Sequence, residues 1–167
     1  MSLTLQQVYE KVKEQGDPEL AYVNDAPIHY IVLNHADYTF TADKILQHVA
    51  LLEKIEATKG PGVVVTVSTS PKIFSTGFNL PYWMEKTDNF LVSVGVLNLL
   101  IEKLVTFPLP TMAVINGHAY AGGAILALLH DFRIMNSQKG NVCLSEATVG
   151  QALPTACAAV CMEKMGK

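Results

Sequence analysis

Apolar residues change their spacing several times along this chain, and each change places an element. Leu5, Val8 and Val12 recur at helical spacing until Gly16-Asp17-Pro18, which predicts a short peripheral helix. Two β-prone runs, 20–23 and 28–33, flank Asn24-Asp25-Ala26-Pro27 and read as a hairpin. Thr41 can cap a helix reaching about residue 57, with Ile45, Val49, Leu52 and Ile55 on one face, before Gly60-Pro61-Gly62 stops it. A buried strand over 63–67 follows, and helical spacing returns over 90–105 through Leu91, Val94, Leu97, Ile101 and Val105. Beyond the Pro108-Leu109-Pro110 break come a strand at 111–115, a glycine-containing turn and a helix over 122–130. Short strands at 132–135 and 142–144 and a helix at 155–165 complete the pattern. Strands alternating with helices through tight connections predict one α/β domain over 1–167 with a largely parallel sheet.

Half the residues are apolar and 16% are charged, which excludes a disordered chain. Net charge is −3 and Arg133 is the lone arginine, so the basic stripe that neutralises a nucleic-acid backbone is missing. The longest apolar run, 119–129, contains Gly122 and Gly123 and falls short of the roughly 20 residues of a spanning helix, so no membrane partner is expected. The first residues lack the basic start and apolar core of a secretory signal, and Cys143, Cys157 and Cys161 form no CxxC pair. An intracellular protein with buried, reduced thiols is expected.

The sequence has no G-x-G-x-x-G after a strand, no G-x-x-x-x-G-K-[ST] and no G-x-S-x-G. Its five histidines, at 29, 35, 48, 118 and 130, make no H-E-x-x-H or Cys/His cluster, so no metal is expected. Two glycine turns remain, each leaving a strand: 72–80, which reads KIFSTGFNL, and 116–123, which reads NGHAYAGG. Glycine lets a backbone approach a ligand, and a turn that opens a helix points unpaired N–H groups outward, so two such turns can hold an oxyanion. Taken singly, they serve equally well as tight turns or close packing points.

The segment 108–123, PLPTMAVINGHAYAGG, together with Leu126-Ala127-Leu128 and His130-Asp131-Phe132-Arg133-Ile134, resembles the signature of the crotonase (enoyl-CoA hydratase/isomerase) superfamily. Phe74-Ser75-Thr76-Gly77-Phe78-Asn79-Leu80 resembles its companion motif, with Asn79 where the family usually shows aspartate. The resemblance implies a crotonase-like spiral of ββα units lacking the usual C-terminal helices, and an acyl-CoA thioester as partner. It implies no cofactor beyond the CoA of the substrate, and a trimer whose contacts the short chain weakens. It implies backbone N–H groups of Phe78 and Gly122 as oxyanion-hole donors, with Ser75, Gly77, Leu80, Gly123 and Ile125 binding substrate.

Hydration in this family uses two glutamates, whereas moving a double bond needs one base. At the two matching positions stand Ile125 and Glu146. One carboxylate, in the stretch Ser145-Glu146-Ala147-Thr148-Val149-Gly150-Gln151-Ala152-Leu153-Pro154, resembles Δ3,Δ2-enoyl-CoA isomerases of fatty-acid β-oxidation with Glu146 as proton shuttle. The alternatives are an enoyl-CoA hydratase or thioester hydrolase of the same superfamily, or an inactive, regulatory acyl-CoA-binding module. Similarity to peroxisomal isomerases implies that compartment, although Met165-Gly166-Lys167 is no S-K-L signal. Tyr82 and Trp83 are candidates for the acyl pocket, the helix over 90–105 for its wall, Asp131 for a brace, and Ser75 with His118 for a nucleophile–base pair without supporting context.

Overall fold

The computed structural model describes residues 2–165, apart from the side chains of Ala147 and Val149. Helix α1 (Leu5–Glu14) begins at Thr4, whose hydroxyl accepts from Gln7 N–H while the Gln7 side chain accepts from Thr4 N–H. Its Val8 and Val12 are buried with Ala21 and Val23 of β1 (Leu20–Asp25) and Tyr30 and Val32 of β2 (Ile28–Leu33). The two strands pair antiparallel, as the hairpin reading required. Alternation along β2 sends Ile31 and Leu33 to the opposite face, where they meet Ile45, Leu52 and Ile55 of α2 (Ala42–Glu56). With both faces covered, an unbroken apolar strand is what burial demands.

After β2 the chain makes β3 (Thr39–Phe40) and then α2, capped by the Thr41 hydroxyl accepting from Lys44 N–H. The next turn runs through β4 (Val63–Ser68), β5 (Ile73–Ser75), β6 (Gly77–Phe78), α3 (Leu80–Glu85) and α4 (Thr87–Val105). It is followed by β7 (Thr111–Ile115), β8 (His118–Tyr120) and α5 (Gly122–Leu129). The last turn holds β9 (Phe132–Met135), β10 (Val142–Cys143), a 3-10 turn at Ser145–Val149 and α6 (Thr155–Met165). The first turn supplies β1 and β2, and each later turn adds one strand, to a large sheet of order β1-β2-β4-β7-β9, parallel from β2 onward. The last three turns also add one strand each to a small parallel sheet of order β10-β8-β5, while β3 pairs with β6. This repeat is the expected ββα spiral.

The long elements fall where the apolar spacing places them. The short strands β5, β6 and β8 lie in the stretches that read as glycine turns, and β3 and the six-residue helix α3 in stretches assigned no element, because segments this short cannot display a clear period. α5 ends at Leu129, one residue earlier than expected: His130 is extended (φ −75°, ψ 155°), and its Nδ1–H donates to Leu126 O. Asp131 braces the start of β7, its Oδ2 accepting from both Thr111 N–H and Thr111 Oγ1–H at 2.9 Å. Among the described residues, no helix is long and apolar enough to cross a membrane.

Candidate active site

The parallel strands β5 and β8 end side by side, and the chain leaves each through a glycine turn. Gly77 has φ +83°, which disfavours any L side chain, and a Cβ there would lie 2.5 Å from Gly122 N and 2.9 Å from Gly122 Cα. A Cβ on Gly123 would lie 2.2 Å from Ser75 O. The two turns therefore touch backbone to backbone, at positions where the packing admits nothing larger than glycine.

This contact brings two turns with backbone N–H groups together. Asn79 N–H donates to Phe40 O at 2.9 Å. Successive amides of an extended strand point in opposite directions, so Phe78 N–H turns away from β3. On the other side, Ala121 at φ 50°, ψ −125° turns the chain into α5 without a side-chain cap. That backbone conformation is rare for a residue with a Cβ and gathers at functional sites. It leaves the first-turn N–H groups of Gly122 and Gly123 without intrahelical partners. Asn79 orders the first turn: its Oδ1 accepts from Tyr82 N–H at 3.0 Å, and its Nδ2–H donates to Thr39 Oγ1 at 3.3 Å. An amide in place of the family's aspartate thus still caps α3, and adds a donor that an ionised carboxylate lacks.

A cavity of about 230 Å³ opens against Phe78 and Ala121. Its aromatic wall is continuous: Phe78 packs edge-on to Phe40 (5.9 Å between ring centres) and tilted against Trp83 (4.2 Å), and Trp83 packs edge-on to Phe90 (4.7 Å). Phe90 and Val94, one turn apart on α4, extend that wall. Glu146, half-buried on the 3-10 turn, also lines the cavity, and among the described residues it is the sole ionisable side chain there. Its Oε2 is buried and accepts no hydrogen bond from the described residues. Leaving a buried carboxylate oxygen unpaired is costly, so Glu146 presents an unmet polar demand beside the cavity. Its charge also reaches α6: burial, then the neighbouring Cys161 and Glu146, push the Cys157 thiol up to about 11.

Of the residues singled out in the sequence, Phe78, Leu80 and Glu146 line the cavity, and Trp83 joins them. Ser75, Gly77, Gly123 and Ile125, expected as substrate-binding residues, are buried behind the wall and are not among its lining residues. Ser75 is fully buried; its Oγ–H donates to Tyr38 O at 2.7 Å and its Oγ accepts from Gly77 N–H at 3.1 Å. Its hydroxyl is committed to holding the turn. Ile125 is 1% exposed and belongs to the core beneath α5. Gly122 is buried too, with Ala121 presenting the wall in front of it. No Ser75–His118 pair forms: the Ser75 hydroxyl donates to Tyr38 O, and His118 Nδ1 accepts from Tyr120 O–H and Asn141 N–H. Tyr82 stays off the wall, its carbonyl accepting from Asn89 Nδ2–H. Ala121 and Pro154 were not anticipated as lining residues; the break from strand to helix at Ala121 was the available signal for the first.

A sequence profile of the family described as Enoyl-CoA hydratase/isomerase matches residues 24–167. Enoyl-CoA delta isomerase 2, peroxisomal, of Arabidopsis thaliana is 31% identical over 137 residues, covering 78% of this chain and 57% of its own length. This chain thus spans little more than half of that relative. Among solved structures, Pseudomonas aeruginosa DspI superposes with a TM-score of 0.74 at 26% identity, over 84% of this chain and 57% of that one. An enoyl-CoA hydratase from Shewanella pealeana ATCC 700345 gives 0.81 at 21% identity, over 94% of this chain and 60% of that one, and shows the fold alone. With glycine turns meeting over a cavity that holds one carboxylate, and with these matches, the chain belongs to the enoyl-CoA hydratase/isomerase family.

Proposed function

We propose that this chain forms the catalytic core of a Δ3,Δ2-enoyl-CoA isomerase. One observation carries the reading: Glu146 is the sole ionisable side chain on the cavity wall among the described residues. Ile125, the position where the family resemblance would put a second carboxylate for hydration, is apolar and buried. A 3-enoyl thioester would place its carbonyl oxygen at the N–H groups of Phe78 and Gly122. Glu146 takes a proton from C2, and the electron pair passes into a dienolate whose oxygen those donors stabilise, each by roughly 2.7–4 kcal/mol. The same proton returns to C4, the double bond settles between C2 and C3, and Glu146 is again a carboxylate. The row Phe78, Trp83 and Phe90 suits an acyl chain. Such a reaction serves the degradation of unsaturated fatty acids, and the name of the Arabidopsis relative supports a peroxisomal setting.

The test is incubation with 3-hexenoyl-CoA, following the absorbance of the conjugated 2-enoyl thioester. Glu146→Gln should lower turnover by about 10²–10⁴-fold while thioester binding persists. Equal turnover in the variant would overturn the assignment of Glu146. Free CoA as the product would replace isomerisation by hydrolysis, and tight thioester binding without turnover would identify an acyl-CoA-binding module.

A further inference from the structure

The three strands of the small sheet run parallel, so their two ends are different places. Their C-terminal ends lead to Gly77, Ala121 and the 3-10 turn of Glu146. Their N-terminal ends converge about 10 Å away, the length of three extended residues, around a second and larger cavity. That cavity measures about 480 Å³ and is lined by Pro71, Lys72, Ile73, His118, Lys139 and Gly140. Two lysines and an imidazole meet there without a carboxylate, on a chain whose net charge is −3. Neither lysine is in an ion pair among the described residues, whereas Lys13, Lys44 and Lys103 each hold a glutamate.

The convergence is built into the backbone. A Cβ on Gly117 would lie 2.2 Å from Lys72 C, and one on Gly140, at φ +94°, would lie 2.4 Å from Gly117 O. His118 N–H donates to Lys72 O at 2.8 Å, and Ala119 N–H donates to Asn141 O at 2.9 Å. Three loops are thereby pressed together, and Lys72, His118 and Lys139 are brought to one mouth. The His118 ring is oriented as well. Its Nδ1 accepts from Asn141 N–H at 3.1 Å and from Tyr120 O–H at 2.7 Å, and the Tyr120 ring stacks on it with centres 5.0 Å apart. With Nδ1 occupied as an acceptor, the neutral ring carries its proton on Nε2, which makes no hydrogen bond to another described residue.

We propose that this mouth is a second binding site, distinct from the acyl cavity, for a small organic phosphate monoester. Lysines act as mobile point charges that suit a tetrahedral anion with several oxygens, whereas a planar carboxylate is better served by an arginine fork. Nε2–H of His118 supplies a fixed donor on the same cavity wall. The volume exceeds what inorganic phosphate fills, and Pro71 and Ile73 offer an apolar surface to the organic body.

The test uses the whole chain, with the His118 ring resonances followed by NMR during titration with phenyl phosphate at constant ionic strength. Phenol and inorganic phosphate are the comparison titrants. Saturable shifts with phenyl phosphate, weaker ones with inorganic phosphate and none with phenol are expected. The exposed double substitution Lys72→Gln/Lys139→Gln should weaken binding by about tenfold or more, with an unchanged spectrum elsewhere. Absence of saturation, or affinity retained in the double variant, would overturn the site. Equal affinity for inorganic and phenyl phosphate would overturn its assignment to an ester. The readout does not depend on thioester turnover, so it stands or falls separately from the isomerase reading.

Discussion

The Cα of Gly77 sits directly against the backbone nitrogen of Gly122, so close that a Cβ on Gly77 would lie 2.5 Å from that nitrogen. Gly77→Ala must therefore push the two turns apart, and it must do so at φ +83°, where alanine is strained. Stability is expected to fall by about 1–3 kcal/mol. Turnover of 3-hexenoyl-CoA should fall further than folding explains, by about 10²-fold, because displaced donors no longer meet the developing oxyanion. Urea unfolding and steady-state kinetics on the same preparation separate the two effects; a stable variant with unchanged kcat would show that this contact does not set the donor geometry.

The pairing of Gly77 with Gly122 was legible as two motifs but not as a distance, because 45 residues separate them in the sequence. Local signals were read well: Thr41 caps α2, and Asp131 braces β7. Period-based reading failed at β3, β5, β6 and β8, whose two or three residues are fixed by tertiary pairing. It placed the strand β9 yet not its surroundings, since Phe132 and Ile134 are 57% and 56% exposed along the open edge of the large sheet. The family resemblance implied substrate binding for Ile125 and Ser75, but a motif match does not show which way a side chain faces: one helical step and one side of a strand send them inward, to 1% and 0% exposure.

Asn79 separates capping from charge. Asn79→Ala removes the acceptor for Tyr82 N–H and the donor to Thr39, and should cost about 1 kcal/mol. Asn79→Asp keeps the cap, and the Thr39 hydroxyl can turn to donate to the new carboxylate, so stability should stay within about 0.5 kcal/mol of the parent. Denaturant midpoints of the three proteins decide the matter. A loss for aspartate as large as that for alanine would show that the Asn79 donor to Thr39, rather than the cap, holds the loop.

The three thiols should divide by burial. Cys143 is exposed, whereas Cys157 and Cys161 are buried on α6. Burial pushes the Cys157 thiol up to about 11 and raises that of Cys161 as well, so thiolate is scarce at both near neutral pH. A disulfide reagent at about pH 8 should modify one thiol rapidly and the other two upon unfolding. Peptide mapping should place the fast label on Cys143, and rapid labelling of Cys157 in the native protein would contradict the packing of α6.

Two buried histidines set the response to acid. Burial holds His48 down at about 3 and His130 at about 4, from an ordinary value of 6.5. Burial keeps the His130 ring neutral against the bond from its Nδ1–H to Leu126 O, which favours the charged form, while Nε2 of His48 has no hydrogen-bond partner among the described residues. In the unfolded chain both rings take up a proton below about pH 6.5, but in the native chain neither does until far lower. Their stabilisation is therefore whole above the unfolded value and is lost as pH falls toward the folded values. Each ring contributes a slope of about 1.4 kcal/mol per pH unit across that window. His48→Leu removes one of the two, together with a buried nitrogen that lacks a partner. Its stability near pH 7.5 should match or exceed the parent by up to about 1 kcal/mol, and its acid slope should be roughly halved. Urea unfolding at about pH 7.5, 6 and 5 measures both quantities. An unaltered slope in the variant would show that the His48 ring accepts its proton in the native state, and that its burial is not what makes the fold sensitive to acid.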